Sequence, residues 1–322
     1  MIVLPRDRFV PEAWRTIAAR GPVHMFNPGM TTFGGRRIMA YRLVLADGRR
    51  RLAICALDAA LEPVSGSVQP LSDHLAEGGA WLADPRFCTL GDRLLLHFNT
   101  GDRPRPNSIF LVEIDPHSLL PCAAAQPLEL EGRRPVEKNW MLFSPDGDTL
   151  LAVYSIRPHV VLRLHLRAGA SVQSEMMARH DWTAPLASLS EPRGGTPPIR
   201  VGDVFYSFFH LLVPAPRWKR VLHAMRHKGG RPLHRYEMGF YGFQASPPFA
   251  PLCHTPVSIA RAPARRAGDA LPLNRDAERV LYPMGAEFSE NRWTVAAGLH
   301  DERCCFLHFD HADLLQRVEP VA

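Results

Sequence analysis

Thirty prolines and 23 glycines punctuate the 322 residues so often that little room is left for long helices. Between these breakers lie short runs rich in β-branched and aromatic residues. YRLVLAD (41–47), RLAICALD (51–58), RLLLHFN (93–99) and SIFLVEID (108–115) lead to LLAVYSI (150–156), HVVLRLHLR (159–167) and VFYSFFHLLV (204–213). YEMGFYGF (236–243), RVLYPMGAEF (279–288), RWTVAAGL (292–299) and CCFLHFD (304–310) complete the series. Each reads as a strand, several arriving as hairpin-like pairs, and PEAWRTIAAR (11–20) reads as a short helix. No break in composition marks a linker, so residues 1–322 are expected to form one domain. A sandwich of this length would be oversized. Five four-stranded blades of roughly 65 residues fit it, although no tight repeat is visible. The expected class is all-β, a five-bladed β-propeller with its site at the mouth of the central channel.

The bulk numbers exclude several other classes. A composition 46% hydrophobic and 22% charged is that of a globular chain able to bury a large core. The opening MIVLPRDRFVPEAWR sets charges inside its first apolar patch, unlike a signal peptide, and no apolar run reaches the roughly 18 residues of a membrane span. Cys55, Cys88, Cys122, Cys253, Cys304 and Cys305 form no CxxC pair, which suits reduced thiols better than a disulfide frame or a zinc site. The histidines show no HxH or HExxH spacing. A cytoplasmic protein without a metal, a membrane or a nucleic-acid partner is expected; homo-oligomers are compatible with the sequence. The net charge of +6 is scattered arginine rather than a recognition motif, and ARAPARRAG (260–268) looks like a solvated loop. A positive pocket for an anionic ligand fits that charge, as does simple surface bias.

Polar residues interrupt the apolar strands in a recurring way. EKNWMLF (137–143) sets a lysine, an asparagine and a tryptophan side by side at the edge of a hydrophobic run, and PRGGTPPI (192–199) follows further on. FNPGM (26–30), YR (41–42), ADPRF (83–87), FNTGDR (98–103), YSIRPH (154–159), FFHLL (208–212) and LHDER (299–303) behave alike. A propeller gathers such segments at its channel mouth, one or two per blade.

Taken in order, FNPG, YR, DPRF, EKNW, IRP, GGTPPI, FFH, YEMG, VLYPMG and GLHD resemble the inverting β-mannoside phosphorylases of glycoside hydrolase family 130 and the related β-1,2-mannosyltransferase/phosphorylases. The resemblance spans residues 26 to 312. It implies a five-bladed propeller and reversible phosphorolysis, in which inorganic phosphate attacks the anomeric carbon of a β-mannoside and yields α-mannose 1-phosphate. Phosphate is then a co-substrate, no cofactor is needed, and one carboxyl suffices as acid, unlike the two of ordinary glycosidases. Asp102 is implied as that acid. Lys138, Asn139, Arg157, Arg193 and His210 are implied around the phosphate, with Gly194 and Gly195 allowing close backbone approach. Asn27, Arg42, Asp84 and Asp301 are implied on the mannosyl hydroxyls of a mannoside or oligosaccharide.

Each residue also has a plainer reading. Asp102 could close a turn, Asp84 could pair with Arg86 to fix a loop, and His210 could be a satisfied core histidine. Tyr236 and Tyr241 could stack on sugars or fill the core. A mannosyltransferase using a nucleotide sugar or a sugar phosphate, and a propeller that binds carbohydrate without turnover, remain alternatives.

Overall fold

The computed structural model describes residues 1–76, 81–101, 107–166, 171–183, 191–226, 232–265 and 273–321. Nearly all of the regular structure is β. His24–Phe33, Arg36–Val44 and Arg50–Leu57 form a three-stranded antiparallel sheet. A second antiparallel run follows as Leu82–Leu90, Arg93–Thr100, Ile109–Ile114 and Gln126–Leu130. The third comprises Met141–Phe143, Leu150–Ser155, His159–His165 and Val172–His180. The fourth holds Ile199–Val201, Val204–Pro214, His234–Gln244 and Pro251–His254. Ala277–Ser289, Arg292–Leu299 and Arg303–Asp310 make the last, and Ile2–Val3 adds its outer strand against Cys305 and Phe306. Two short parallel joints, Leu128–Leu130 with Val172–Ser174 and His234–Tyr236 with the start of the 277–289 strand, merge neighbouring runs into larger sheets.

The apolar side chains explain how these sheets stand to one another. Strand residues alternate between faces. In the 36–44 strand Ile38 and Ala40 join one cluster with Phe87, Leu96 and Phe98, while Met39, Tyr41 and Leu43 join another with Ala296, Cys304 and Phe306. Leu95 and Leu111 meet Trp140 and Leu150; Phe143 and Val161 meet Phe209 and Tyr241; Phe208 and Phe240 meet Trp293 and Val295. Every sheet therefore packs face to face on the next, and the last packs on the first, so the cores form a closed ring. Strands buried on both faces need apolar residues at consecutive positions, which is why the runs read as continuous rather than alternating.

The expected helix near 11–20 is present in short form, as a 3-10 turn Glu12–Trp14 running into Arg15–Ala18. A helix the sequence reading left out spans Arg217–Arg226 directly after Pro216, where proline suits the start of a helix. Its Lys219 pairs with Glu278 and its His223 with Asp276. No helix among the described residues is long and apolar enough to cross a membrane.

Two core histidines give the fold a pH limit. Burial, reinforced by Arg86, lowers His97 to about 3, although Nε2 lies 3.0 Å from the Trp140 carbonyl and donates to it. Burial, reinforced by His180, likewise lowers His159 to about 3. Both are neutral in the folded chain and regain a value near 6.5 on unfolding. Below 6.5 the unfolded chain binds the extra protons, so stability is complete above that pH and falls as pH drops towards 3. Two such groups together predict a loss of about 4 kcal/mol between pH 7 and pH 5. Urea titrations at the two pH values measure it; an unchanged unfolding free energy would contradict the burial argument.

Candidate functional site

The leading strands of the successive runs converge on one cavity of about 770 Å³. Four of its polar residues, Asn27, Asp84, Asn139 and Asp301, have left-handed backbones with φ of 54°, 55°, 66° and 57°. That conformation is costly for most side chains and cheapest for Asn and Asp. Asn27 and Asp84 sit at irregularities in their strands, between Phe26 and Gly29 and between Ala83 and Arg86. There the local break in pairing turns a side chain out of the alternation and into the cavity.

EKNW folds by the same logic. Glu137 is buried and accepts the Trp140 indole N–H at 3.0 Å, which pins the tryptophan into the core between the second and third runs. Lys138 is exposed at the cavity wall, and the left-handed turn at Asn139 brings its amide to the same wall.

Asp84 organises one part of the site. Arg42 donates to its Oδ1, Asn27 Nδ2 donates to the same oxygen at 2.8 Å, and Asn99 Nδ2 reaches Oδ2 at 3.4 Å. Burial alone would raise this carboxyl, but the charges of Arg42 and Arg86 and the Asn27 amide hold it at about 2. Asp84 is thus a fixed carboxylate, fit to accept hydrogen bonds from hydroxyls and unfit to donate a proton near neutrality. Asp301 differs: burial raises its pKa against the pull of Arg42, and Asn274 Nδ2 donates to it at 3.1 Å.

Beneath the cavity, Arg86 ties three runs together. Its Nε donates to the Gly195 carbonyl at 2.6 Å and its Nη2 to the Tyr282 hydroxyl at 3.2 Å. Tyr282 then donates to Asn139 Oδ1 at 2.6 Å, which leaves the Asn139 N–H groups to face a ligand. The pairing of Asp84 with Arg86, the plainer reading of DPR, is only electrostatic. Arg86 Nη1 meets the Asp84 backbone carbonyl at 3.4 Å, while the carboxylate is held by Arg42 and Asn27.

Arg193 and His210 exchange backbone hydrogen bonds of 2.9 and 3.0 Å, and both line the cavity with Lys138 and Asn139. Burial, then Arg193, Arg86 and Lys138, keep His210 well below its ordinary pKa, so it is neutral, and its buried Nδ1 has no partner among the described residues. Gly194 and Gly195 serve another approach than the expected one. A Cβ on Gly194 would lie 2.1 Å from the Asn139 carbonyl oxygen, and one on Gly195 2.2 Å from that of Phe208. Their lack of a side chain lets protein backbone, rather than a ligand, come close.

Eight of the ten residues singled out in the sequence thus line one cavity: Asn27, Arg42, Asp84, Lys138, Asn139, Arg193, His210 and Asp301. Arg157 is not brought there. Its guanidinium binds Glu191 at 3.1 and 3.2 Å and lies 6.0 Å from the Trp182 ring, away from the cavity wall. Asp102 lies outside the described residues, while Gly101 before it lines the cavity. Tyr236 also lines it, whereas Tyr241 is core. The sequence reading missed Arg50, Trp81, His234, Asn274 and Arg275 in the wall. Arg50 and Trp81 stand at strand edges without periodic signal. Among the described residues no three His, Cys, Asp or Glu side chains cluster as a metal site would require.

No protein-family model matches the sequence, and no curated protein does. Solved structures match its fold. β-1,2-Mannobiose phosphorylase from Listeria innocua, in complex with β-1,2-mannobiose, superposes with a TM-score of 0.61 at 13% identity, over 91% of this chain and 91% of that one. A mannose phosphorylase from Leishmania mexicana in complex with phosphate ion gives 0.57 at 10% identity, over 94% and 89%. A structure from the GH130 family of mannoside phosphorylases, which contains glycoside hydrolases that target β-1,2-mannosidic linkages in Candida mannan, gives 0.51 at 13% identity, over 89% and 84%. At these identities the likeness is one of fold.

Proposed function

We propose that the chain is a single five-bladed β-propeller whose cavity binds a β-mannoside together with inorganic phosphate and catalyses reversible, inverting phosphorolysis. The observation that carries this reading is the meeting, in one cavity, of Lys138, Asn139, Arg193 and His210 with Asn27, Arg42, Asp84 and Asp301. The first group suits a phosphate dianion: two cations, an amide whose oxygen is already occupied by Tyr282, and a neutral imidazole. The second offers carboxylate, amide and guanidinium groups held in fixed geometry, as sugar hydroxyls require. The solved mannoside phosphorylases of this fold, one of them holding phosphate, support the same assignment.

In the reaction a phosphate oxygen bonds to the anomeric carbon as the bond from that carbon to the leaving oxygen breaks. The leaving oxygen takes a proton that Asp102 supplies through a sugar hydroxyl, and the products are α-mannose 1-phosphate and the freed acceptor sugar. Asp84, fixed as a carboxylate, holds hydroxyls through the step. Phosphate is the only co-substrate required, and no cofactor enters.

The test runs the reaction backwards, with α-mannose 1-phosphate and a panel of sugar acceptors. Phosphate should appear with the wild type and fall at least about 100-fold in Asp102→Asn, the usual scale for removing a positioned acid. Mannoside cleavage at equal rates with and without phosphate would make the protein a hydrolase. Turnover of GDP-mannose but not of mannose 1-phosphate would make it a nucleotide-sugar transferase.

A further inference from the structure

The deep wall of the cavity is assigned by the reading above, but its outer wall carries a second set of groups. The Arg50 guanidinium lies over the Trp81 ring, 4.5 Å from its centroid, and both residues line the cavity. Trp81 is 44% exposed although it stands beside the almost fully buried Asp84 and Arg42, so it marks the rim. Its backbone is fixed by Gly101, whose N–H donates to the Trp81 carbonyl at 2.7 Å. Arg275, also exposed, lines the same cavity.

Neither Arg50 nor Arg275 forms an ion pair among the described residues. The carboxylates that act on Arg50 are Asp84 and Asp301, and both are engaged elsewhere, Asp84 by Arg42 and Asn27 and Asp301 by Asn274. Burial and the neighbouring charge of Arg42 disfavour the Arg50 cation, so an anion arriving there would relieve a real electrostatic cost. A stacked guanidinium keeps its N–H edges free for a planar or tetrahedral anion, and an indole presents an apolar face to a sugar ring.

We infer that Arg50, Trp81 and Arg275 form the acceptor side of the site, and that the acceptor is a sugar bearing an anionic group, a carboxylate or a phosphate. The term acceptor rests on the phosphorolysis reading; the anion-binding subsite does not. Trp81 would lie against the ring of the acceptor while Arg50 and Arg275 take its charge, leaving the deeper cavity for the mannosyl group and inorganic phosphate.

Calorimetric titration of glucose, glucuronic acid and glucose 6-phosphate into the protein tests this without requiring turnover. The wild type should bind one or both charged sugars at least about tenfold more tightly than glucose, the scale of a charge-assisted hydrogen bond. The two acids separate a carboxylate from a phosphate. Arg50→Gln should bring the charged-to-neutral ratio close to one, and Arg275→Gln should lower it, which keeps the test usable if the first variant fails to fold. Trp81→Ala should weaken charged and neutral sugars by similar factors. Equal binding of glucose and both acids by the wild type, or a ratio unaltered in the folded arginine variants, would overturn the inference. Selective acid binding with no phosphate release from mannose 1-phosphate would sustain the subsite and reject phosphorolysis; release with neutral acceptors alone would do the reverse.

Discussion

Replacing Asp84 with alanine should cost the protein about 3–5 kcal/mol of stability and, on the proposed phosphorolysis, all measurable turnover. The carboxylate is buried, ionised and shared by Arg42 and Asn27, and it also holds the Arg86 charge in check. Arg42 and Arg86 are themselves nearly inaccessible to water, with 7% and 1% exposure, so removing the anion strands two cations where solvent cannot replace it. Asp84→Asn separates the two effects. It keeps the hydrogen-bonding shape and tolerates the left-handed backbone, so its stability loss should be smaller, while its activity should fall nearly as far. Urea unfolding and the mannose 1-phosphate assay read the two quantities on the same samples. A wild-type unfolding midpoint in Asp84→Ala would mean that the cluster is solvated rather than buried.

Gly194→Ala should produce the second large effect, through shape instead of charge. The new methyl carbon would stand 2.1 Å from the Asn139 carbonyl oxygen and 3.0 Å from Met141 Cγ. The oxygen belongs to backbone, so relief requires the chain around Asn139 to move. A loss of at least about 3 kcal/mol is expected, at the upper end for overpacking. Any variant that folds should, on the proposed assignment of Asn139 to the phosphate, bind phosphate poorly, because Asn139 is a cavity residue. Gly35→Ala is the control. Its φ of 74° makes alanine strained, yet nothing among the described residues lies within 4 Å of the added carbon, so its loss should stay at about 1–2 kcal/mol and leave any phosphate binding intact. Similar losses in both variants would show that the 139–194 contact can give way freely.

The strand runs were legible because burial on two faces writes itself as an unbroken apolar stretch: Ile38 through Tyr41 serves two clusters at once. The helix Arg217–Arg226 was not, because it buries no residue and its apolar positions carry no tertiary signal. In the site, the residues that stood out were polar groups interrupting such stretches, as Asn27, Asp84 and Asn139 do. Arg157 interrupts one equally well, but Glu191 claims it, and a partner 34 positions away is invisible in a local pattern. Arg50 and Trp81 escaped notice for the opposite reason. They lie where strands meet loops, among residues for which polarity is ordinary.

The left-handed backbones at Asn27, Asp84, Asn139 and Asp301 also bear on how such a site can change over time. Each of these positions admits asparagine, aspartate or glycine readily and most other residues at a penalty, so mutation there explores little chemistry. The inner ring of the cavity is therefore conservative by geometry, whatever selection acts on it. Variation open to a descendant of this chain lies at the rim, where Arg50, Trp81 and Arg275 have ordinary backbones and can be exchanged one at a time. On the proposed phosphorolysis, new acceptors should be acquired there first, while the group being transferred stays the same.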